Sequence, residues 1–380
     1  MVPGLDESND PKRRSQKIQD QKKILDIMTI PRHEHLFSLP TGLQQYLVKN
    51  ALYKENSKNI YLATVLFNIM LTTIPCAALL FIMTDNSISN IYMHAIGLFY
   101  TICNLTTWAK SFILCMHYST HVPIFIKYGY WQIFNYILPF FICTFFGILP
   151  GQYYLHHVIM HHKENNIFPY DLSATMQYQR DNRWHMYHYC MRYILGIYIE
   201  LPYYAFKKEK YDLCLRSVSC VILSVIVMYN LFCWKPIPTI YVFILPLFII
   251  GYGLMEGNFS QHIFVDPNVS KLAADELPYG ITYTCIESKN NSYTFNDGYH
   301  VEHHATPATP WYDLPEVYDI QKYKKYDGIA FKEIDIDKVR EYVFSKNYDK
   351  LSEYYINHRN RSKGEIIKLL KSRVNAIRID

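Results

Sequence analysis

Nine cysteines are scattered through the 380 residues of this chain, and no two of them stand in a C-x-x-C spacing. Several lie inside apolar runs, where cysteine acts as a small hydrophobe, so neither a disulfide framework nor an iron–sulfur site is expected. Low-complexity segments are absent. The first 25 residues hold no apolar core followed by a cleavage site, which predicts no signal peptide and insertion through the first membrane span. What is most plainly missing is charge, and it is missing in blocks. Residues 60–83 and 86–109 each run 24 positions without a charged side chain, and 217–234 and 239–255 repeat the pattern after a long polar interval. A mean hydropathy of -0.07 conceals this alternation.

Each block approaches the roughly 20 residues that a helix needs to cross the hydrocarbon core. Four such blocks are too many to house as buried helices of one soluble core. The sequence therefore predicts an all-α polytopic membrane protein with four transmembrane helices in two hairpins. Three regions follow: a tail over 1–55, a spanning domain over 56–320, and a charged helical region over 321–380. In the last of these, Ser362 and Glu365 form a capping box that opens a helix expected to reach Ile377.

Basic residues set the orientation. Lys12, Arg13, Arg14, Lys17, Lys22 and Lys23 precede the first span, and Lys207, Lys208 and Lys210 precede the third. The short loops 84–89 and 235–238 hold one basic residue between them. The positive-inside bias then places both termini and the central segment in the cytoplasm. A net charge of +5 suits an anionic membrane surface rather than nucleic acid.

Against this layout, the histidines are concentrated. Nine of sixteen fall in four windows totalling 21 residues: His117 and His121 in HYSTH, His157, His161 and His162 in HVIMHH, His262 in NFSQH, and His300, His303 and His304 in HVEHH. Spacings of three and four residues bring imidazoles onto one helix face, a pattern that reads as metal ligation. On a regular helix His157 and His161 share a face while His162 turns aside, and His300, His303 and His304 align. His156 points away from His157. Nine rings overfill a single site, so two metals with four or five imidazoles each are expected. Iron is the reading for both: a hydrocarbon chain offers no polarised carbonyl to a Lewis acid, and redox-inert zinc cannot break an unactivated C–H bond.

A shared site also constrains the apolar stretch 131–155. Crossing the bilayer there would separate HYSTH from HVIMHH, and Pro139, Gly147, Pro150 and Gly151 interrupt the run. A bent, interfacial segment is predicted. The stretch 189–206, which carries Arg192 and Glu200, is expected to lie flat as well.

HYSTH, HVIMHH and HVEHH resemble the three histidine boxes of the membrane fatty acid desaturase superfamily, in order and with a pair of spans before the third. NFSQH is similar to the Asn-x3-His site of acyl-CoA desaturases. The resemblance implies that the nine histidines hold two iron ions, with Asn258 an outer ligand through water, and that O2 is the co-substrate. It further implies a fatty acyl lipid substrate, a cytoplasmic helical cap over the di-iron site, and an endoplasmic reticulum location. YQRDNRWHMYHYCMRY, QHIFVDP and NDGYHVEHHATPATPWYDLP resemble a subgroup of desaturase-domain proteins. Front-end desaturases carry Gln where this chain has His300, together with a fused cytochrome b5 domain; no HPGG haem-binding motif occurs here. Electrons are then expected from a separate cytochrome b5 with its reductase, or from a ferredoxin. Two other readings use the same residues: a lipid hydroxylase on the same metals, and a polytopic zinc hydrolase or receptor. Glu302 is left between supporting an imidazole N–H and plain exposure. The C-terminal helices are read either as a cap on the metal domain or as a basic docking face for the donor.

Overall fold

The computed structural model describes residues 36–83 and 90–377. Lys12, Arg13, Arg14, Lys17, Lys22 and Lys23 of the tail and the whole of loop 84–89 lie outside the described residues. The fold is mostly helical. Helix α1 covers Thr41–Asn50, α2 Ile60–Met83, α3 Ile91–His121 and α4 Phe134–Phe140. A helical stretch over 152–164 is α5, followed by α6 (Arg183–Lys207), α7 (Tyr211–Trp234) and α8 (Pro236–Gln261). Beyond these come α9 (Leu277–Ile281), β1 (Tyr283–Ile286), α10 (His300–Ala305), α11 (Ile320–Tyr326), β2 (Ile329–Lys332), α12 (Ile336–Phe344), α13 (Tyr348–Leu351) and α14 (Lys363–Ser372). The two strands are a small addition to the helical expectation; they pair in parallel with Tyr283 opposite Ile329.

Three helices among the described residues are long and apolar enough to cross a membrane: Ser57–Met83, which contains α2, then α7 and α8. Helix α3 has ample length at 31 residues but carries His94, Thr101 and Asn104 along its first half. Those polar groups are answered inside the fold: Asn104 Oδ1 accepts from Thr73 of α2 at 2.6 Å, and Thr101 donates to the Tyr241 carbonyl at 2.7 Å.

Helix α2 packs along α3. Helices α7 and α8 meet around the Lys235 turn, and α6 lies against both of them. Of α7 only Ser217 and Ser224 are buried, which leaves its apolar surface facing outward.

The stretch 131–155 does not form one helix. It breaks into a 3-10 turn at Tyr130–Ile133, α4, a second 3-10 segment at Ile142–Phe146, and the start of α5. Gly147 and Gly151 make the turns, with φ of 66° and 72°, a region open to glycine at little cost. Gly147 sits so close to α8 that a Cβ would overlap the backbone of Leu247.

Two apolar clusters frame the site. One joins α2, α3, the 134–153 segment and the start of α8. The other packs Val339, Val343, Leu351, Ile366 and Leu370 of the C-terminal helices onto Phe259, Ile263 and Phe264, which flank His262. The capping box of Ser362 and Glu365 is present, but α14 ends at Ser372, short of Ile377. The carbonyls that would continue it are taken elsewhere: Arg373 O accepts from Val265 N and Val374 O from Arg180 N, both at 2.8 Å.

Candidate metal centre

Box one lies on the last turn of α3, so His117 and His121 project from one continuous helix. Box two lies on a π-helical segment, Leu155–His161. That i→i+5 winding changes which rings are neighbours. The expected pairing of His157 with His161 is replaced: His162 Nε2 stands 3.1 Å from His157 Nε2, while His161 turns toward His262. Box three also divides. The regular-helix expectation aligned its rings, yet His303 joins one group and His304 the other.

The two groups are compact. Ligand atoms of His117, His121, His157 and His303 lie within 4.8 Å of one another, and so do those of His161, His262 and His304. His162 borders the first group, with ring centroids 4.6 Å from His121 and 4.7 Å from His303. His300 borders the second, with Nε2 3.3 Å from His262 Nε2. The nine histidines of the four windows thus converge as a group of four and a group of three with His162 and His300 beside them, and the His162 ring also stacks 4.5 Å from that of His304.

Hydrogen bonding fixes the tautomers where it matters most. His262 Nδ1 faces the Ile281 carbonyl at 2.9 Å and must donate to it. His161 Nδ1 faces Asp171 Oδ2 at 2.7 Å and donates likewise. The two Nε2 atoms, 3.1 Å apart, are then both lone pairs when the rings are neutral, and neither can donate to the other. A cation between such nitrogens relieves the repulsion. Burial, joined by neighbouring imidazoles, holds His157, His162, His300, His303 and His304 well below the ordinary imidazole range. Neutral imidazole is the ligand form. His117 Nε2, His121 Nε2, His162 Nδ1, His300 Nδ1 and both ring nitrogens of His303 and His304 are buried without a hydrogen-bond partner. Buried polar atoms are seldom left so, and this many in one place fit a metal-binding role.

An outer network was not legible in the motifs. Asp171 is buried, and Ser173 donates to its Oδ1 at 2.6 Å. Burial alone would raise the Asp171 carboxyl, but the His161 ring and the Ser173 hydroxyl hold it below the usual carboxylate range. His156 does point away from His157: its Nε2 meets Ser173 Oγ at 3.1 Å and its Nδ1 meets Tyr193 OH at 2.9 Å. Asn258 enters the same network, its amide donating to Tyr189 OH at 2.6 Å and lying 3.3 Å from the Ser173 carbonyl. The signal that could have found Asp171 is an acid a few residues past box two, since ligating histidines commonly pass their second N–H to a carboxylate. Glu302 follows neither reading. It is buried and accepts from Thr284 Oγ1 and Tyr323 OH, each at 2.7 Å.

Arg180 was also missed as a structural centre. It is fully buried, and its guanidinium donates to six carbonyls, those of Ile263, Thr175, Met176, Tyr178, Arg373 and Asn375. It thereby ties the C-terminal turn at 373–375 to the residue after His262.

A cavity of about 530 Å³ opens beside the rings. His117, His157, His161 and His300 line it, with Leu105, Ile113, Ile250 and Leu254 on the walls contributed by α3 and α8.

A family model described as fatty acid desaturase matches residues 89–331, more than half of the chain. The chain belongs to the fatty acid desaturase family. No curated protein and no solved structure matches it significantly. The match takes in all four histidine windows and ends within β2, leaving α2 and the C-terminal helices outside it. Membership implies an oxidoreductase-type enzyme of the membrane that acts on lipid, and the family together with the histidine clusters suggests metal binding.

Proposed function

We propose that the chain is an O2-dependent di-iron desaturase that introduces a double bond into a lipid acyl chain. One iron is assigned to His117, His121, His157, His162 and His303, and the other to His161, His262, His300 and His304, with Asn258 acting through a water. The observation that carries this is the facing pair of Nε2 atoms on His161 and His262, 3.1 Å apart, amid further buried nitrogens without partners. Two iron ions held there would supply the oxidising power to remove hydrogen from an unactivated methylene.

The chain's own residues do the rest. Asp171 and the Ile281 carbonyl hold His161 and His262 in the tautomers that expose Nε2. Leu105, Ile113, Ile250 and Leu254 offer an acyl chain an apolar bed beside the rings. The overall reaction, –CH2–CH2– + O2 + 2 H+ + 2 e− giving –CH=CH– + 2 H2O, requires an external reductant, for which cytochrome b5 with its reductase, or a ferredoxin, is the proposed donor. We place α2, α3, α7 and α8 across the membrane of the endoplasmic reticulum. Helix α6, 131–155 and the C-terminal helices then lie on the cytoplasmic side, as does each terminus.

The test is to express the full chain, measure iron, and analyse lipid products by mass spectrometry with and without reductant. About two irons per chain and a product lighter by two hydrogens support the reading. A product heavier by one oxygen makes the enzyme a hydroxylase. Zinc with hydrolysed product and no need for reductant overturns it.

A further inference from the structure

Helix α3 ends at His121, and the segment that follows pairs with the residues just ahead of α2. Tyr53 N donates to the Ile124 carbonyl at 2.9 Å and Ile126 N to that of Ala51 at 2.8 Å, with Leu52 opposite Phe125 in an antiparallel bridge. Asn135 of α4 holds Phe125 from the other side, its amide bonding both backbone groups at 3.0 Å. This pairing gathers two cations from distant parts of the chain: Lys54 Nζ lies 5.5 Å and Lys127 Nζ 5.7 Å from the centre of one ring, that of Tyr53. Both lysines are exposed, and neither forms an ion pair among the described residues. Lys54 also holds a left-handed backbone, with φ of 56°, which costs a residue with a side chain. Lys58 is set apart over the Tyr312 ring, where Asp313 feels its charge. Like charges repel, so Lys54 and Lys127 gathered without a carboxylate suit an anion from outside the chain.

The surroundings of the pair say which anion. Just past Lys127 the surface is aromatic and apolar: Tyr128 is 71% exposed, Tyr130 67% and Ile133 58%, and the Tyr46 hydroxyl of α1 stands 3.3 Å from that of Tyr130. Trp131, stacked on Phe125 with ring centroids 6.0 Å apart, adjoins them. Tyrosine and tryptophan gather where hydrocarbon meets headgroups. Lys54 precedes the charge-free run that opens at Ile60, and Lys127 precedes the apolar stretch 131–155, so the aqueous ends of two apolar segments meet at Tyr53. A water-soluble acidic protein docked on the lysines would leave this apolar rim to be covered. A phospholipid answers both parts, its anionic head on the lysines and its acyl chains along the rim. We propose that Lys54 and Lys127 bind the headgroup of an anionic phospholipid, with Tyr128, Tyr130 and Ile133 against its chains. The site depends on the interfacial placement of 131–155 given above and not on the reaction.

The test uses the purified full chain in phosphatidylcholine vesicles. Phosphatidylserine or phosphatidylcholine, brominated on the acyl chains, is titrated in while tryptophan fluorescence is read. Bromine quenches a nearby indole, and the difference between the wild-type chain and Trp131→Phe isolates the ring beside the site. Half-quenching of that component is expected at a mole fraction about fivefold or more lower for phosphatidylserine than for phosphatidylcholine, the advantage that a single lysine gains at an anionic surface. High salt should shrink the advantage. Lys54→Gln with Lys127→Gln should bring the two curves together at unchanged Tm, and Lys54→Arg with Lys127→Arg should keep them apart. Coincident curves in the wild-type chain, or curves still separated in the glutamine variant, overturn the site. Coincident curves with a raised KM for cytochrome b5 in the glutamine variant overturn it in favour of an acidic protein. Quenching needs no turnover, so an inactive enzyme that keeps the lipid preference counts against the desaturase reading alone.

Discussion

Asp171 Oδ2 lies 2.7 Å from His161 Nδ1, and both side chains are essentially inaccessible to solvent. The carboxylate decides which nitrogen of His161 carries the proton and so which one is free to bind a metal. Asp171 in turn is oriented by Ser173, and Ser173 by His156, so a chain of three side chains backs one ring.

Asp171→Asn preserves shape but removes the charge that fixes the tautomer. Metal content or turnover should fall about 10- to 100-fold, the usual range for partners of metal-bound histidines. Elemental analysis and product formation measured on the same preparation check this. Unchanged metal and turnover would exclude a role for Asp171 in holding the site.

The second prediction concerns the division of the rings. His303→Ala and His304→Ala remove neighbours in sequence that serve different groups. Each should lose about one metal per chain while the protein remains in membranes. Equal loss of both metals in each variant would instead describe one coupled site.

How much of this was legible follows from what each residue type encodes. Histidines at high density announce themselves because few other roles require them, and charge-free blocks announce spans because the bilayer sets their length. The π-helical winding of Leu155–His161 leaves no such mark: HVIMHH suits either winding, and packing of α5 decides it, so the pairing of His157 with His162 could not be read. Asp171 sits in an irregular segment without periodicity, and its partnership with His161 exists only once the chain folds back. The early end of α14 has the same origin, since Arg180 captures its carbonyls from 193 and 195 positions away.

Arg180→Met tests that capture. The substitution keeps the bulk but leaves the Ile263, Tyr178 and Asn375 carbonyls without this donor, while those of Thr175, Met176 and Arg373 keep a backbone one; each orphaned acceptor costs on the order of 1 kcal/mol or more. A loss exceeding ~3 kcal/mol is expected, seen as a lowered Tm and as protease cleavage near residues 373–377. Arg180→Lys should recover only part of it, because an ammonium cannot span the same acceptors. Wild-type stability in the Met variant would remove Arg180 from this role.

Gly147→Ala examines the bend that keeps 131–155 out of a single helix. The position has φ of 66°, and the added methyl would meet the backbone of Leu247. Backbone strain of about 1–3 kcal/mol adds to the cost of displacing α8. Yield of folded protein should drop sharply. By contrast Gly129→Ala, at φ of 64° but with open space around it, should bear the strain term alone. Comparing the two variants by detergent-resistant yield and Tm separates close packing from conformation.

Sidedness is the remaining question, because the shared metal site demands that all four histidine windows face one compartment. A single cysteine introduced at Lys235, in a cysteine-free background, marks the turn between α7 and α8; one introduced at Lys363 marks the start of α14. In sealed microsomes an impermeant thiol reagent should label the Lys363 site at once and the Lys235 site only after permeabilisation. A third cysteine at Tyr128, 71% exposed ahead of the bent segment, should label with Lys363, and so should one at Lys163, just beyond box two. Labelling of the 128 and 163 positions from opposite sides would mean that the segment between them crosses, and His117 and His157 could not then serve one metal.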